Sequence, residues 1–191
     1  MFYIPVILGS IRRDRESAKV ASFVVDCLGK RNGVTTELLD LRDMSLPMME
    51  ERLRFRKDAP PGILQFSAQM HRADSIVIVT PEYNSGYPGV LKNALDYLKD
   101  EYKRKAFGIV TVSSSGLGGM LCLCSLREVI LHLGGVPIPA ILPVSHVQEL
   151  FLADGTITDP VFPQRAAAYF EELLWFTEAL SVHRQRRSAR N

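Results

Sequence analysis

Strand-like apolar runs alternate with helix-patterned segments along almost the whole chain. Residues 75–80 are apolar at every central position, which is typical of a strand in a parallel sheet that is covered on both faces. Residues 16–31 instead carry apolar side chains at helical spacing, with Gly29 and Gly33 near the expected helix end. This alternation predicts β-α units whose right-handed crossovers place helices on both faces of one sheet.

The pattern divides the chain into five strands, each followed by a helical segment. The strands are expected at residues 2–8, 34–41, 75–80, 106–113 and 136–142. The helices are expected at residues 16–31, 63–73, 88–102, 118–133 and 162–182, with a proline-rich loop over 44–61. We predict an α/β, doubly wound, five-stranded parallel sheet of order 2-1-3-4-5, whose first strand is irregular because Pro5 removes a backbone donor.

Length and charge point to a single domain without a strongly basic surface. The chain has 191 residues, with 23 basic against 21 acidic side chains and a net charge of +2. This balance argues against a dedicated nucleic-acid-binding protein. Four arginines crowd the last eight residues: Arg184, Arg186, Arg187 and Arg190. We therefore expect one domain over residues 1–182 and a basic, disordered tail over residues 183–191.

The cysteines and the apolar runs give an expectation about the compartment. Cys27, Cys122 and Cys124 are too few for a disulfide framework, and we interpret them as reduced thiols. No apolar run approaches the roughly 20 residues that a membrane-spanning helix needs. The N-terminus lacks the pattern of a signal peptide, so a cytoplasmic protein without a membrane partner is expected.

The loops after the first, third and fourth strands are where such a sheet binds ligands. Residues 9–17 bring together Ser10, Ser17 and three arginines ahead of a helix N-terminus, which suits a phosphate monoester. The segment contains neither a dinucleotide-binding glycine fingerprint nor the Gly-Lys-Ser/Thr of an ATP-type loop. The alternative is an ordinary loop in which Ser17 caps the helix and the arginines are solvated.

The other two loops suit a flat heterocycle. Residues 80–89 hold two prolines and two glycines, which restrict the backbone while Tyr83, Asn84 and Tyr87 are displayed. Residues 113–119 are small, so the backbone can approach a planar ligand closely. The alternatives are a helix-capping turn for the first segment and a simple linker for the second.

No set of side chains forms an obvious acid-base, nucleophilic or metal-binding group. Cys122 and Cys124 fit core thiols better than a redox pair, and the four histidines have no partner at metal-ligand spacing. If the chain is an enzyme, a cofactor therefore carries the difficult chemistry.

Three sequence stretches together carry a family resemblance. They are Gly9-Ser10-Ile11-Arg12 with Ser17 downstream, Pro81-Glu82-Tyr83-Asn84 continuing through residues 88–96, and Ser115-Gly116 with Gly118-Gly119. In this order they resemble the NADPH-dependent FMN reductase family, a flavodoxin-like group that includes quinone, azo-dye and chromate reductases. The likeness extends over about residues 2–180.

The resemblance implies a role for each matching residue. Ser10, Arg12 and Ser17 would hold the FMN phosphate, although Arg13 and Arg15 lie close enough in sequence to compete with Arg12. Further cofactor-binding residues would border the isoalloxazine ring on two sides: Pro81, Glu82, Tyr83 and Asn84 on one, and Ser115, Gly116 and Gly119 on the other. The backbone amides of residues 82–84 would orient the ring, and no side chain would be catalytic.

The implied activity is an NAD(P)H oxidoreductase that passes a hydride through bound FMN to a flavin, quinone, azo or metal-oxyanion acceptor. NADPH and NADH both stay open as co-substrates, because Leu121 stands where many relatives have a polar or basic residue. The alternative is a flavodoxin-like FMN electron carrier, or an FMN-binding module without NAD(P)H turnover. The resemblance also implies a homodimer or homotetramer, for which residues 44–49 and 117–126 could supply contacts.

Overall fold

A computed structural model describes residues 1–188 of the chain as an α/β structure with eight short strands. The strands are β1 (Phe2–Tyr3), β2 (Val6–Leu8), β3 (Val34–Thr35), β4 (Leu38–Asp40), β5 (Ser75–Pro81), β6 (Ala106–Val112), β7 (Val136–Pro137) and β8 (Leu142–Val144). The α-helices are α1 (Ser17–Gly29), α2 (Leu41–Met44), α3 (Pro61–Arg72), α4 (Gly89–Asp96), α5 (Met120–His132), α6 (Val147–Leu150) and α7 (Phe162–Ser188). Single 3-10 turns form at Leu53–Phe55 and Asp100–Tyr102.

All strand pairs are parallel, and the continuous path through the main sheet is β4-β2-β5-β6-β7, with β8 also paired to β6. This path corresponds to the predicted order 2-1-3-4-5. The predicted strands are interrupted, however. The first breaks at Ile4-Pro5, where proline has no N–H to donate, and its two parts pair with β3 and with β4 and β5.

Prolines also divide the predicted fifth strand. Pro137 ends β7 and Pro139 follows it, so pairing with β6 resumes only at β8. The expected helix over residues 88–102 is likewise shorter: α4 ends at Asp96, and the chain turns so that Tyr97 and Tyr102 become buried. The hydroxyl of Tyr97 donates to the carbonyl of Pro47, 3.0 Å away, which holds the proline-rich loop against this turn.

Helices cover both faces of the sheet, as predicted. On one face α1 and α7 pack on the strands, with Val24, Leu28 and Phe170 fully buried. On the other face α3, α4 and α5 bury Phe66, Leu95 and other apolar side chains. Every residue of β6 is buried, because that strand lies between neighbours within the sheet and helices on both sides.

The sequence predicted a disordered tail after residue 182, but the last helix extends beyond that residue. Helix α7 continues to Ser188, and residues 189–191 lie outside the described part of the chain. Arg184 donates to the backbone carbonyls of Arg104 (2.7 Å) and Asp74 (2.9 Å). These hydrogen bonds hold the end of α7 against the loops that precede β6 and β5. Within residues 1–188, no helix is both long and apolar enough to cross a bilayer.

Candidate functional site

The loops that follow β2, β5 and β6 meet at the carboxyl edge of the sheet and enclose a cleft of about 220 Å³. The first loop contributes Arg12, Asp14, Arg15, Glu16 and Ser17; the second Pro81, Glu82 and Tyr83; the third Ser113 and Ser114. Val112 of β6 and Val147 and Gln148 of α6 complete the wall. The structure therefore brings the three loops singled out in the sequence to one place.

A buried ion pair shapes the first loop. The guanidinium of Arg15 pairs with the carboxylate of Asp40 at the end of β4, and these side chains are only 9% and 14% exposed. Arg15 also donates to the backbone carbonyl of Ser10 at 2.6 Å. Its charge is already neutralised and its Nη atoms are engaged, so Arg15 positions the loop, while its buried Nε forms no hydrogen bond within residues 1–188.

Arg12 is the loop arginine whose side chain is left for a ligand. Arg42 of α2 donates to the carbonyls of Ile11 and Arg12, so the backbone at Arg12 is held in place. The Arg12 side chain is exposed and lines the cleft, whereas Arg13 is exposed but not part of the wall. This placement separates the three arginines that the sequence left as alternatives.

Ser17, the first residue of α1, is a buried hydroxyl without a partner. Its Oγ is shielded from solvent and forms no hydrogen bond within residues 1–188. A buried polar atom of this kind is costly unless something binds to it. It is the first residue of a helix and lines the cleft together with Arg12, so it offers a phosphate a hydroxyl donor and the positive field of a helix N-terminus.

Ser10 does not have the position expected of a phosphate ligand. It is fully buried, and its Oγ lies 2.8 Å from the hydroxyl of Tyr83 and accepts from the amide of Arg12 at 3.3 Å. Ser10 is absent from the cleft wall. Its hydroxyl instead connects the first loop to the second, because Tyr83 reaches back across the edge of the sheet.

The second loop is a tight two-residue turn. Asn84 and Ser85 have φ values of 49° and 67°, and Tyr83 and Gly86 exchange backbone hydrogen bonds of 2.7 and 3.0 Å across them. The amide of Glu82 donates to Val112 at 3.0 Å. Of the three amides expected to orient a ring, those of Glu82 and Tyr83 are thus engaged within the protein, which leaves that of the exposed Asn84.

The Glu82 side chain also has a structural partner. Its carboxylate accepts from the amide of Cys122 at 3.0 Å, in the first turn of α5, where a negative charge is favourable. Burial, reinforced by the neighbouring Glu82 charge, raises the pKa of the Cys122 thiol to about 12. Cys122 is therefore a protonated core thiol at neutral pH, as the sequence suggested. The same expectation was wrong for Cys124, which is exposed on the outer side of α5.

The third loop presents small, exposed residues above a tightly packed base. Ser115 donates from its amide to Ser113 Oγ at 3.0 Å, and residues 114–117 are exposed. Gly119 is buried with φ +83°, and a Cβ there would lie 2.9 Å from Thr111 Cβ. Gly119 therefore has a packing role on its Cβ side, and its expected contact with the ring stays a prediction. Ser115 and Gly116 are exposed and, like Asn84, do not line the cleft.

Comparison with known proteins decides the family. Residues 3–149 match the sequence model of the NADPH-dependent FMN reductases. The chain belongs to this family.

Individual relatives agree with that assignment. An NAD(P)H-dependent FMN reductase of Schizosaccharomyces pombe is 34% identical over 66% of this chain and 64% of its own length, just under two thirds of the relative. A quinone reductase of Escherichia coli K12 is 30% identical over 68% of this chain and 70% of its own. The flavoenzyme FerB of Paracoccus denitrificans, an NAD(P)H:acceptor oxidoreductase, superposes with a TM-score of 0.76 at 25% identity, over 93% of this chain and 98% of that one.

Membership in the FMN reductase family confirms the expected enzyme class, an oxidoreductase that uses FMN and NAD(P)H, and the flavodoxin-like α/β fold. The cleft fits the phosphate end of FMN, since Ser17 Oγ lacks a partner and Arg12 is available beside it. Several wall residues had no recognisable signal in the sequence. Val147 and Gln148 belong to a four-residue helix too short to show a periodic pattern. Asp40 lies outside the wall, and its role is visible only from its ion pair with Arg15.

Proposed function

We propose that the chain binds FMN at this cleft and transfers electrons from NAD(P)H to planar acceptors of the quinone class. FMN, when bound, supplies the chemistry, since its ring accepts a hydride and returns electrons to a second substrate. The protein supplies binding, orientation and access. The observation that carries the proposal is the partnerless, buried hydroxyl of Ser17 on the wall of a cleft formed by all three loops.

The electrostatics of the first loop favour one dianionic group. Arg15 is neutralised by Asp40, and Glu16 is paired with Lys19 at 2.7 Å. Arg12 forms no ion pair within residues 1–188, so its guanidinium is available to a phosphate, and it shares the wall with the carboxylates of Asp14 and Glu82. Ser17 Oγ and Arg12 together would hold the FMN phosphate, and Arg15 would position the loop that carries Arg12.

The rim of the site suits the ring end of FMN. The Asn84 amide on one side and residues Ser115 and Gly116 on the other would border the isoalloxazine ring. Pro81, Glu82 and Tyr83 would provide a rigid wall, since their backbone is fixed by the bonds to Val112 and Gly86. An open rim of small residues admits flat molecules without selecting strongly among them, which suits successive binding of NAD(P)H and an acceptor.

The surroundings of the site support a homo-oligomer in the cytoplasm. Leu117 and Leu121 are 68% and 53% exposed beside the third loop, and Met48 is 78% exposed on the proline-rich loop. We propose that these apolar side chains contact a second subunit near the flavin. Cys27, Cys122 and Cys124 are all free thiols, which fits a reducing compartment.

An acceptor panel tests the proposal. The FMN-loaded protein is given NADPH or NADH with benzoquinone, an azo dye, chromate or free FMN, and initial rates are compared. The quinone should be reduced fastest, and the rate should fall in proportion to FMN occupancy in an Arg12→Ala variant. If the protein holds FMN but reduces none of the acceptors with either nucleotide, it is an electron carrier instead.

A further inference from the structure

The turn between α1 and β3 contains the only Asn-Gly pair in the chain, Asn32-Gly33. The amide of Val34 donates to the carbonyl of Arg31 across this pair, at 3.3 Å. Gly33 has φ +77°, a left-handed conformation that glycine adopts without strain. The turn thus needs glycine, and this leaves the amide that follows Asn32 without a flanking side chain.

The carboxamide of Asn32 and the backbone amide of Gly33 are both free to react. Both residues are exposed, and neither group forms a hydrogen bond within residues 1–188. A Cβ at Gly33 would have no heavy atom of a non-adjacent residue within 4 Å. Water therefore reaches the turn, and no packing holds the two groups apart.

We infer that Asn32 is a site of spontaneous deamidation. The Gly33 nitrogen loses its proton to base and attacks Asn32 Cγ, so that a C–N bond forms, ammonia leaves and a cyclic succinimide results. Water then opens the succinimide at one of its two carbonyl carbons. Breaking the bond between the Gly33 nitrogen and Cγ gives aspartate. Breaking the bond to the main-chain carbonyl carbon gives isoaspartate, in which the backbone runs through Cβ and Cγ.

The other described asparagines are better protected. Asn93 is buried in α4, where its carboxamide donates to the carbonyl of Pro47 at 2.7 Å and accepts from the amide of Met49 at 2.8 Å. Asn84 is exposed, but the residue after it is Ser85, whose side chain hinders attack by its own amide. We therefore expect Asn32 to react first.

The same turn holds the first strand of the protein. The carbonyl of Gly33 accepts from the amide of Phe2 at 2.7 Å, and the carbonyl of Thr35 accepts from the amide of Ile4 at 2.9 Å. Between these bonds β1 pairs with β3. Isoaspartate adds one carbon to the main chain immediately before Gly33, so it misaligns this pairing. Deamidation to isoaspartate should therefore loosen β1, independently of whether the proposed function is correct.

The first test is ageing of the flavin-loaded protein at neutral and mildly alkaline pH, with tryptic peptides compared by mass spectrometry over several days. The peptide of residues 32–42 should gain the mass difference between OH and NH2 and split into an aspartate and an isoaspartate form. The reaction should be faster at the higher pH, because the attacking amide must lose its proton.

Asn32→Gln is the matched control, since its side chain is one carbon longer and must close a six-membered ring. We expect its modification to be at least about tenfold slower. The peptides that contain Asn84 and Asn93 are internal references, and a urea-unfolded sample shows the rate without the fold. An Asn32 that stays intact while the unfolded sample reacts, or that reacts more slowly than Asn84, overturns the inference.

Hydrogen exchange measured by NMR tests the structural consequence. The amides of Phe2 and Ile4 should exchange several-fold faster in the aged wild type than in the fresh protein. A fresh Asn32→Asp variant carries the added charge on an ordinary backbone and should exchange like the fresh wild type. Unchanged exchange after ageing, or equally fast exchange in fresh Asn32→Asp, would contradict a loosening caused by the lengthened chain.

Discussion

The hydroxyl oxygens of Ser10 and Tyr83 lie 2.8 Å apart, although 73 residues separate them in the chain. This bond ties the loop after β2 to the loop after β5, and the amide of Arg12 donates to the same Ser10 oxygen. Ser10, near the start of the loop after β2, is therefore part of the scaffold. The hydroxyl left for a ligand is that of Ser17, seven residues further along the chain.

Ser17→Ala should weaken FMN binding by about 1.5–3 kcal/mol, the range for a hydrogen bond to a charged group. The same change should leave the flavin-free protein equally stable or slightly more stable, because it deletes a buried hydroxyl without a partner. Flavin titration and urea unfolding measure the two effects.

Ser10→Ala is the matched control and should show the reverse pattern. It breaks the bond to Tyr83, so the flavin-free protein should lose about 1 kcal/mol of its free energy of unfolding. Ser10→Ala should weaken FMN binding less than Ser17→Ala does. A larger loss of affinity in Ser10→Ala than in Ser17→Ala would assign the phosphate to Ser10 after all.

Arg12→Ala should weaken FMN binding by about 1.5–3 kcal/mol, because it removes the unpaired cation of the cleft wall. Arg13→Ala, an equal loss of charge one residue outside that wall, should change affinity much less. Titrations at two salt concentrations separate a direct contact from long-range attraction. Equal losses in the two variants would show that only the net charge of the loop matters.

Asp40→Asn should destabilise the protein by about 3 kcal/mol, since it leaves the buried Arg15 guanidinium without its counter-charge. The hydrogen bond that the backbone amide of Arg42 donates to residue 40 is preserved, because the asparagine Oδ1 can still accept it. Urea unfolding measures the loss. Stability equal to that of the wild type would mean that solvent replaces the pair at no cost.

Because the pKa of the Cys122 thiol is raised, the free energy of unfolding should decrease in alkaline solution. Its pKa is raised to about 12 in the folded protein by burial, while an unfolded thiol ionises near its ordinary value of 9.0. The unfolded state thus releases a proton that the folded state keeps, and this contribution to stability declines as pH rises from about 9 towards 12. In this pH window the free energy of unfolding of the Cys122→Ala variant should fall less steeply than that of the wild type, by up to about 1.4 kcal/mol per pH unit. Parallel curves for the two proteins would place the thiol in a more polar setting.

The sequence was sufficient to predict the layer architecture and the meeting of the three loops at the candidate cleft. Continuous apolar runs such as residues 75–80 identify buried parallel strands, and parallel strands place their carboxyl-end loops together. Pro5 correctly indicated an irregular first strand. The proline-broken fifth strand could have been anticipated from Pro137 and Pro139 by the same reasoning.

What the sequence could not supply was the pairing between distant loops. Whether Ser10 or Ser17 faces the cleft depends on where Tyr83 points, and whether Arg15 is available depends on Asp40, 25 residues away. The end of α7 is similar: by local pattern Arg184 belongs to a solvated basic run, and only the structure shows that it donates to the carbonyls of Asp74 and Arg104. Side-chain roles within each loop are thus set by tertiary contacts that local pattern does not encode.

Anaerobic mixing of the FMN-loaded protein with NADPH tests the central claim most directly. The account predicts one FMN bound per chain and loss of its yellow absorbance within seconds of mixing, with an Arg12→Ala sample bleaching only to the extent that it retains flavin. A protein that takes up no FMN, or one that binds FMN and stays yellow with both NADPH and NADH, would contradict it.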